Sequence, residues 1–356
     1  MTKLKIIALL LVSFLFIFEN KAQDSTEVKT GDNEKKLDKS FSGFREYYPI
    51  SIKPNFSYLS SYSEYEADIL FDAKPVVYYS IVNKMRQNIQ HFNNKPSDAI
   101  YISFQPHIRM YSENSLPVKT PSYKILFGWQ RLYKTSKDNF FSFLIESGHY
   151  SNGQSGCAFN SSLDDETTAC TDFYATINSS TNLSALLNRA NGNYSTNFTK
   201  LAINFRFNNL HLSNKPYKVH SIGASWEIYH NNMFWLINKG GFSSEDIEIY
   251  GRNRFGFQYE FIHTYTTLFR WSASLNLEII QGAHEWVEPL RTEFTFTFYP
   301  FARDIGIFAS YIYGHDNYNY RFIDSGNQIS IGFAWDWFSP FEIKRAETIR
   351  STNEKS

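Results

Sequence analysis

The segment from Phe141 to Gly153, FSFLIESGHYSNG, sets an imidazole and a hydroxyl two positions apart, at His149 and Ser151. In a strand, alternate side chains share a face and two residues rise about 6.6 Å, so these two groups stand side by side. A hydroxyl next to an imidazole is the pairing of a nucleophile with its general base. Phe141, Phe143 and Ile145 have the same parity, which puts the pair on the apolar face, opposite Ser142, Leu144, Glu146, Gly148 and Tyr150. A third group stands further on. Leu201, Ile203, Phe205 and Phe207 are odd-numbered and apolar, while Lys200, Asn204 and Arg206 are even, so Asn197 takes the apolar parity too. If the two strands form a hairpin across a loop from about Asn152 to Thr196, Asn197 is level with His149 and Ser151. An amide oxygen there would hold one imidazole nitrogen and leave the other to accept the Ser151 proton.

The elements that must carry these groups are strands. Beyond Phe41 the chain alternates with period two rather than in helical period. Ile329, Ile331, Phe333, Trp335 and Trp337 oppose Ser330, Gly332, Ala334 and Asp336. Phe294, Phe296 and Phe298 oppose Glu293, Thr295 and Thr297, and Trp271, Ala273, Leu275, Leu277 and Ile279 oppose Ser272, Ser274, Asn276 and Glu278. Two architectures make such strands: a soluble sandwich, whose apolar faces meet in a core, and a transmembrane barrel, whose apolar faces meet lipid. Many segments reach the roughly 9–11 residues that a bilayer demands, against about 5–6 in an ordinary strand. Aromatic residues crowd the segment ends at Tyr229, Tyr299, Tyr311, Tyr313, Trp335 and Trp337, as interfacial girdles require. The expected fold is therefore all-β, an antiparallel transmembrane β-barrel. On a face that meets lipid, His149 and Ser151 are an odd choice for stability alone, because an unpaired polar group there is expensive. They suit a nucleophile and base that work on lipid.

Composition agrees. Of 356 residues 18% are Phe, Tyr or Trp, while 35 Lys and Arg balance 35 Asp and Glu. A neutral chain offers no electrostatic case for nucleic acid. With 42% apolar residues and a mean hydropathy of −0.39, neither a disordered chain nor a multi-helix membrane protein fits. Lys3 and Lys5 precede an apolar run from Ile6 to Phe18, so residues 1–23 read as a signal peptide. Residues 24–40, rich in Asp, Glu and Lys, read as a polar periplasmic linker, 41–338 as the barrel, and 339–356 as a polar tail. Glu146, Glu227, Glu260, Glu278, Glu293, Arg206, Arg252 and Arg254 fall on the inward parity, as a charge network filling the lumen. His107 and His220 are expected to be interior or interfacial hydrogen-bonding residues.

The string H-x-S-N-G at His149, Ser151, Asn152 and Gly153, with Ser195-x-Asn197 opening the next strand, resembles the outer membrane phospholipase A family of Gram-negative bacteria. The stretch from Arg109 to Trp129, containing SENSLPVKTPSYKILFGW, looks like that family's serine-rich loop and the strand before its catalytic hairpin. The stretch from Ile305 to Phe338, with YIYGHDNYNYRF and ISIGFAWDWF, is similar to its last two strands. The resemblance runs from roughly Ile100 to Phe338. It implies a twelve-stranded barrel in the outer membrane, hydrolysis of acyl esters of membrane phospholipids, dependence on calcium and activation as a homodimer. It implies His149 as base, Ser151 as nucleophile, Asn197 as the orienting residue, and the Ser151 amide with a calcium-bound water at the oxyanion. The family's calcium ligands fall at Gln154, Asn193 and, from a second copy, Ser115. Gln154 stands where the family has Arg, though the ligand there is a backbone carbonyl, and Asn193 replaces a serine.

The connection between the two catalytic strands is some thirty residues longer than the family's. It holds both cysteines, Cys157 and Cys170. In an exported chain they are expected to pair, with two free thiols as the alternative. Two other functions stay open beside the phospholipase: a non-catalytic outer-membrane pore, and another outer-membrane lipid hydrolase such as a lipid A deacylase. Asn55 to Met85 alternates poorly and leaves the first strands undefined.

Overall fold

The computed structural model describes residues 47–58, 61–62, 69–85, 95–112, 121–135, 139–210, 216–234, 236–265, 269–300 and 305–336. The proposed leader, linker and tail, together with Ser115, Trp337 and Phe338, lie outside them.

Twelve antiparallel strands close into a barrel, as expected. Two of them are interrupted: β1 is Asn55–Tyr58 continued by Ser61–Tyr62, and β2 is Ile69–Lys74 continued by Val77–Asn83. The others are β3 Ser97–Tyr111, β4 Ser122–Lys134, β5 Phe140–Ser151, β6 Ser195–Leu210, β7 Pro216–His230, β8 Gly251–Thr264, β9 Phe269–Ala283, β10 Leu290–Pro300, β11 Ile305–His315 and β12 Ser325–Trp335. Each strand pairs with the next, and β12 returns to β1 through Asn55↔Ala334 to Tyr58↔Ile331. The breaks in β1 and β2 are why alternation was weakest there. Each of these strands is two short ladders, and a register shift between Ser80 and Val82 reverses the parity partway along β2.

The strands face outward by the parity the sequence shows. Ile125, Ile145, Ile203, Phe205, Trp226, Phe255, Phe296, Tyr311, Ile331 and Phe333 are exposed, and the residues between them are buried or half-buried in the lumen. Such an exterior needs lipid as its solvent, and a closed ladder leaves no unpaired edge to meet it. The turns between β4 and β5, β6 and β7, β8 and β9, and β10 and β11 are short, whereas residues 152–194 and 231–250 form long connections at the other end. Short turns on one side and long loops on the other are the outer-membrane pattern, so the long-loop end is the outer one.

The lumen is filled from both ends. At the lower end Tyr47–Ser51 enters the barrel. Tyr48 stacks on Tyr78 with centroids 4.5 Å apart, and Ile50 exchanges hydrogen bonds with the side chain of Gln130 at 3.1 and 2.7 Å. Above this plug lies the expected charge network. Lys200 pairs with Glu227 at 2.9 Å, Tyr101 donates to Glu146 at 2.7 Å, and His315 bonds Glu278 at 2.9 Å. Lys53, two residues after the plug, pairs with Glu260 at 2.6 Å. Arg254 lies over Phe322 and Tyr229, at 3.7 and 4.3 Å from the ring centroids, while Arg252 at the strand end is exposed. A polar cavity of about 220 Å³ remains among Ser51, Lys200, Glu278, Arg291 and Asn317. His107 is interior and bonds Asp72 at 2.6 Å; His220 faces outward near the lower rim and bonds Tyr259 at 2.9 Å.

Three short helices, α1 Thr168–Tyr174, α2 Leu183–Leu186 and α3 Ser244–Tyr250, sit in the outer loops. With Phe159, Tyr194, Phe242 and Phe322 they bury an aromatic core over the barrel mouth, above Tyr150, Phe198 and Tyr229. Cys157 and Cys170 form the disulfide that ties the start of this loop to α1. Closing a loop of this length is worth about 3 kcal/mol in chain entropy. Replacing both cysteines by serine should leave heat-modifiable barrel migration intact while making residues 152–194 cleavable by a nonspecific protease. Unchanged protease resistance would mean that the aromatic core alone holds the loop.

Candidate catalytic site on the barrel exterior

β5 and β6 pair in the register His149↔Asn197 and Ser151↔Ser195, so the long-loop hairpin forms as expected. Both positions in each pair face outward. The Nδ1 atom of His149 lies 2.9 Å from the Oδ1 of Asn197. Two further bonds fix which way the amide points: Nδ2 of Asn197 donates to the backbone oxygens of Asn231 at 2.6 Å and Lys239 at 2.8 Å. With its nitrogen committed to two carbonyls, Asn197 presents its oxygen to the ring. An amide oxygen only accepts, so Nδ1 of His149 carries the hydrogen and Nε2 keeps a lone pair. That is the tautomer a general base needs.

Ser151 stands two residues along the same outward face, half-buried, with no hydrogen bond to His149 among the described contacts. Directly after it, Asn152 is buried and clamps the chain. Its Oδ1 accepts from the amides of Gln154 at 3.2 Å and Tyr194 at 2.9 Å, and its Nδ2 donates to the Gly192 oxygen at 2.8 Å. Gly153 then turns the chain at φ +65°, a conformation that strains any residue with a Cβ. The Asn-Gly pair of the sequence string is thus the device that ends the strand just past Ser151.

One feature was not legible. Asn197 is outward by parity yet 0% exposed. The chain between β7 and α3 folds over it from outside, and the Ser195 hydroxyl also donates to the Gly240 oxygen at 2.8 Å. Gly240 has φ +67°, and a Cβ built there would lie 3.0 Å from His149 Cε1. Ser147, Thr199 and His230 extend the polar island below the pair: Ser147 Oγ lies 3.0 Å from Thr199 Oγ1, which lies 3.0 Å from His230 Nε2. On the other flank the outward neighbours on β4 are apolar, Tyr123 opposite Ser151 and Ile125 opposite His149.

Of the expected calcium ligands, Gln154 and Asn193 both lie in the loop next to Ser151. The Asn193 amide nitrogen donates to Asp165, which leaves its oxygen as the unoccupied end of the group. Burial, with the Asp165 carboxylate nearby, pushes the carboxyl of Asp246 on α3 up. Among the described residues no group of three His, Cys, Asp or Glu side chains is arranged to hold a metal. Two neutral oxygens suit a hard cation in kind but supply only part of the six to eight oxygens calcium takes, so the rest must come from water, substrate or a second copy.

The fold and the site together define an outer-membrane β-barrel with a polar Ser-His-Asn constellation on its lipid-facing wall. No protein-family profile and no curated protein matches the sequence. Among solved structures, outer membrane phospholipase A from Escherichia coli is similar at 9% identity and a TM-score of 0.47, over 81% of this chain and 98% of that one. The Salmonella typhi outer membrane phospholipase dimer with bound calcium is similar at 8% and 0.45, over 80% and 90%. An outer membrane channel from Pseudomonas putida F1 is similar at 9% and 0.43, over 87% and 99%.

Asn197→Ala should unpin both the ring and the covering segment. If His149 acts as a base, labelling of Ser151 by a fluorophosphonate should slow by about 10²-fold or more, by analogy with the loss of an orienting residue in other triads. Labelling at the wild-type rate would remove Asn197 from the machinery.

Proposed function

We propose that this protein is an outer-membrane phospholipase that hydrolyses acyl esters of glycerophospholipids, with Ser151 as nucleophile, His149 as base and Asn197 as the residue that orients the imidazole. The observation that carries the reading is the Asn197–His149 bond on the outer wall, with the amide nitrogen of Asn197 tied down so that Nε2 is left as the free lone pair.

In this reading the proton of Ser151 passes to His149 Nε2 as Oγ attacks the ester carbonyl carbon. The tetrahedral intermediate collapses by breaking the bond to the glycerol oxygen, which takes the proton back from the imidazolium. Lysophospholipid leaves and an acyl-serine remains. Water, activated by the same nitrogen, then attacks the acyl carbon and releases the fatty acid. Asn197 accepts from Nδ1 throughout and steadies the ring while it is charged. The substrate reaches the site laterally, because its acyl chains already lie against the barrel exterior.

Calcium is part of the proposal. The Gln154 carbonyl and the Asn193 side-chain oxygen would hold it, with Ser115 of a second copy completing the set in a homodimer. When bound, it supplies positive charge to an oxyanion, commonly worth about 3–4 kcal/mol for a well-placed donor. The calcium-bound Salmonella dimer is consistent with both features in a protein of similar fold. Against the pore reading stands the lumen, stoppered by Tyr47–Ser51 below and by the aromatic loop core above.

Purified protein in mixed phospholipid micelles should release fatty acid, lose that activity on chelation and regain it with added calcium. Ser151→Ala should abolish release while keeping heat-modifiable migration. Bilayer conductance without lipolysis would favour a pore, and hydroxylated acyl products from lipid A would favour a deacylase.

A further inference from the structure

The segment that covers Asn197 also carries an apolar tip. Asn232–Met233 and Ile237–Asn238 pair as a small hairpin in the register Asn232↔Asn238 and Met233↔Ile237. Its base is bound to the outward face of β6, through the Asn231 and Lys239 oxygens on Asn197 and the Gly240 oxygen on Ser195. Beyond that base Leu236 is 85% exposed, Ile237 52% and Phe234 43%. Apolar side chains gathered at a hairpin tip are out of place in water. They are in place if the tip faces the acyl region, as the rest of the barrel wall does.

The hairpin's position gives it a second consequence. The polar stripe of Ser147, His149 and Ser151 on β5 has Phe127, Ile125 and Tyr123 opposite it on β4, all exposed and apolar. On its other side β6 is overlain by the hairpin base, whose Gly240 abuts the His149 ring. The stripe therefore has an apolar wall on β4 and, across the polar positions of β6, a hairpin whose tip is apolar, and it runs along the strand direction.

We propose that the Asn232–Asn238 hairpin dips into the outer leaflet and, with Ile125 and Phe127, walls a groove that holds the acyl chain of the phospholipid whose ester lies at Ser151. It is an acyl-chain specificity element of that site and rests on the catalytic reading above. The hairpin gives long chains more apolar surface to cover than short ones, so chain length is what it discriminates.

The test separates insertion from catalysis. Leu236→Cys, labelled with a small environment-sensitive fluorophore in bilayers of brominated phospholipid, should be quenched by bromines on the acyl chains and spared by a water-soluble quencher. The reverse pattern overturns the insertion. Separately, the Phe234→Ser, Leu236→Ser double variant should lose about tenfold in kcat/KM on long-chain phospholipid vesicles. It should hydrolyse a water-soluble short-chain ester, and be labelled at Ser151, at wild-type rates. Equal loss on both substrates, or no loss on either, overturns the groove. A wild type that is quenched as expected yet neither hydrolyses esters nor labels at Ser151 overturns the catalytic reading and the groove with it, while the insertion stands on the quenching alone.

Discussion

Closure of the hydrogen-bonded ladder, completed where Asn55 meets Ala334, is the constraint from which the rest follows. In lipid an unpaired backbone group is too expensive to leave at an edge, so the sheet must return to its first strand. Once it does, every strand residue has two choices, lumen or lipid, and neighbours along the chain take opposite ones. The exterior becomes a continuous apolar band, and each polar side chain on it stands out.

That contrast gives the polar island on β5, β6 and β7 its meaning. Its members are not solvated like surface residues. Asn197 is buried beneath a segment of its own chain, and its side chain bonds His149, Asn231 and Lys239. The chain from Asn231 to Gly240 therefore does two jobs at once: it supplies the carbonyls that set the orientation of the amide, and it covers Asn197. Gly240 suits this place, since its backbone is left-handed and a Cβ on it would crowd the imidazole.

The interior follows a different logic. A barrel of this size could conduct, but the lumen is packed by an N-terminal plug, an ion-pair layer and a loop core stapled by Cys157–Cys170. Among the described residues, Lys53 with Glu260 and Lys200 with Glu227 pair inside, and Tyr101 donates to Glu146 there. The polar island lies on the opposite, outer side of the wall, which lipid reaches without passing through the lumen.

Much of this was legible in the sequence, because period-two alternation reports a barrel's parity directly. The outward placement of His149, Ser151 and Asn197, the hairpin joining their strands and the inward Glu and Arg residues other than the exposed Arg252 follow from local spacing, and the cysteine pair from two thiols in one loop of an exported chain. Parity also signalled that Asn197 meets lipid, and there tertiary structure decided otherwise, since a loop more than thirty residues downstream folds back across it. β1 and β2 were illegible because each is broken and parity does not survive a register shift. Lys53 as the partner of Glu260, Asn152 as the clamp after Ser151, and Gly240 against the imidazole are contacts between distant segments that no local pattern encodes. The sequence determined which residues share a face, since that depends only on backbone geometry. The tertiary structure decided which of them are covered, which tautomer the histidine holds and whether the lumen is open, since those depend on where the loops come to rest.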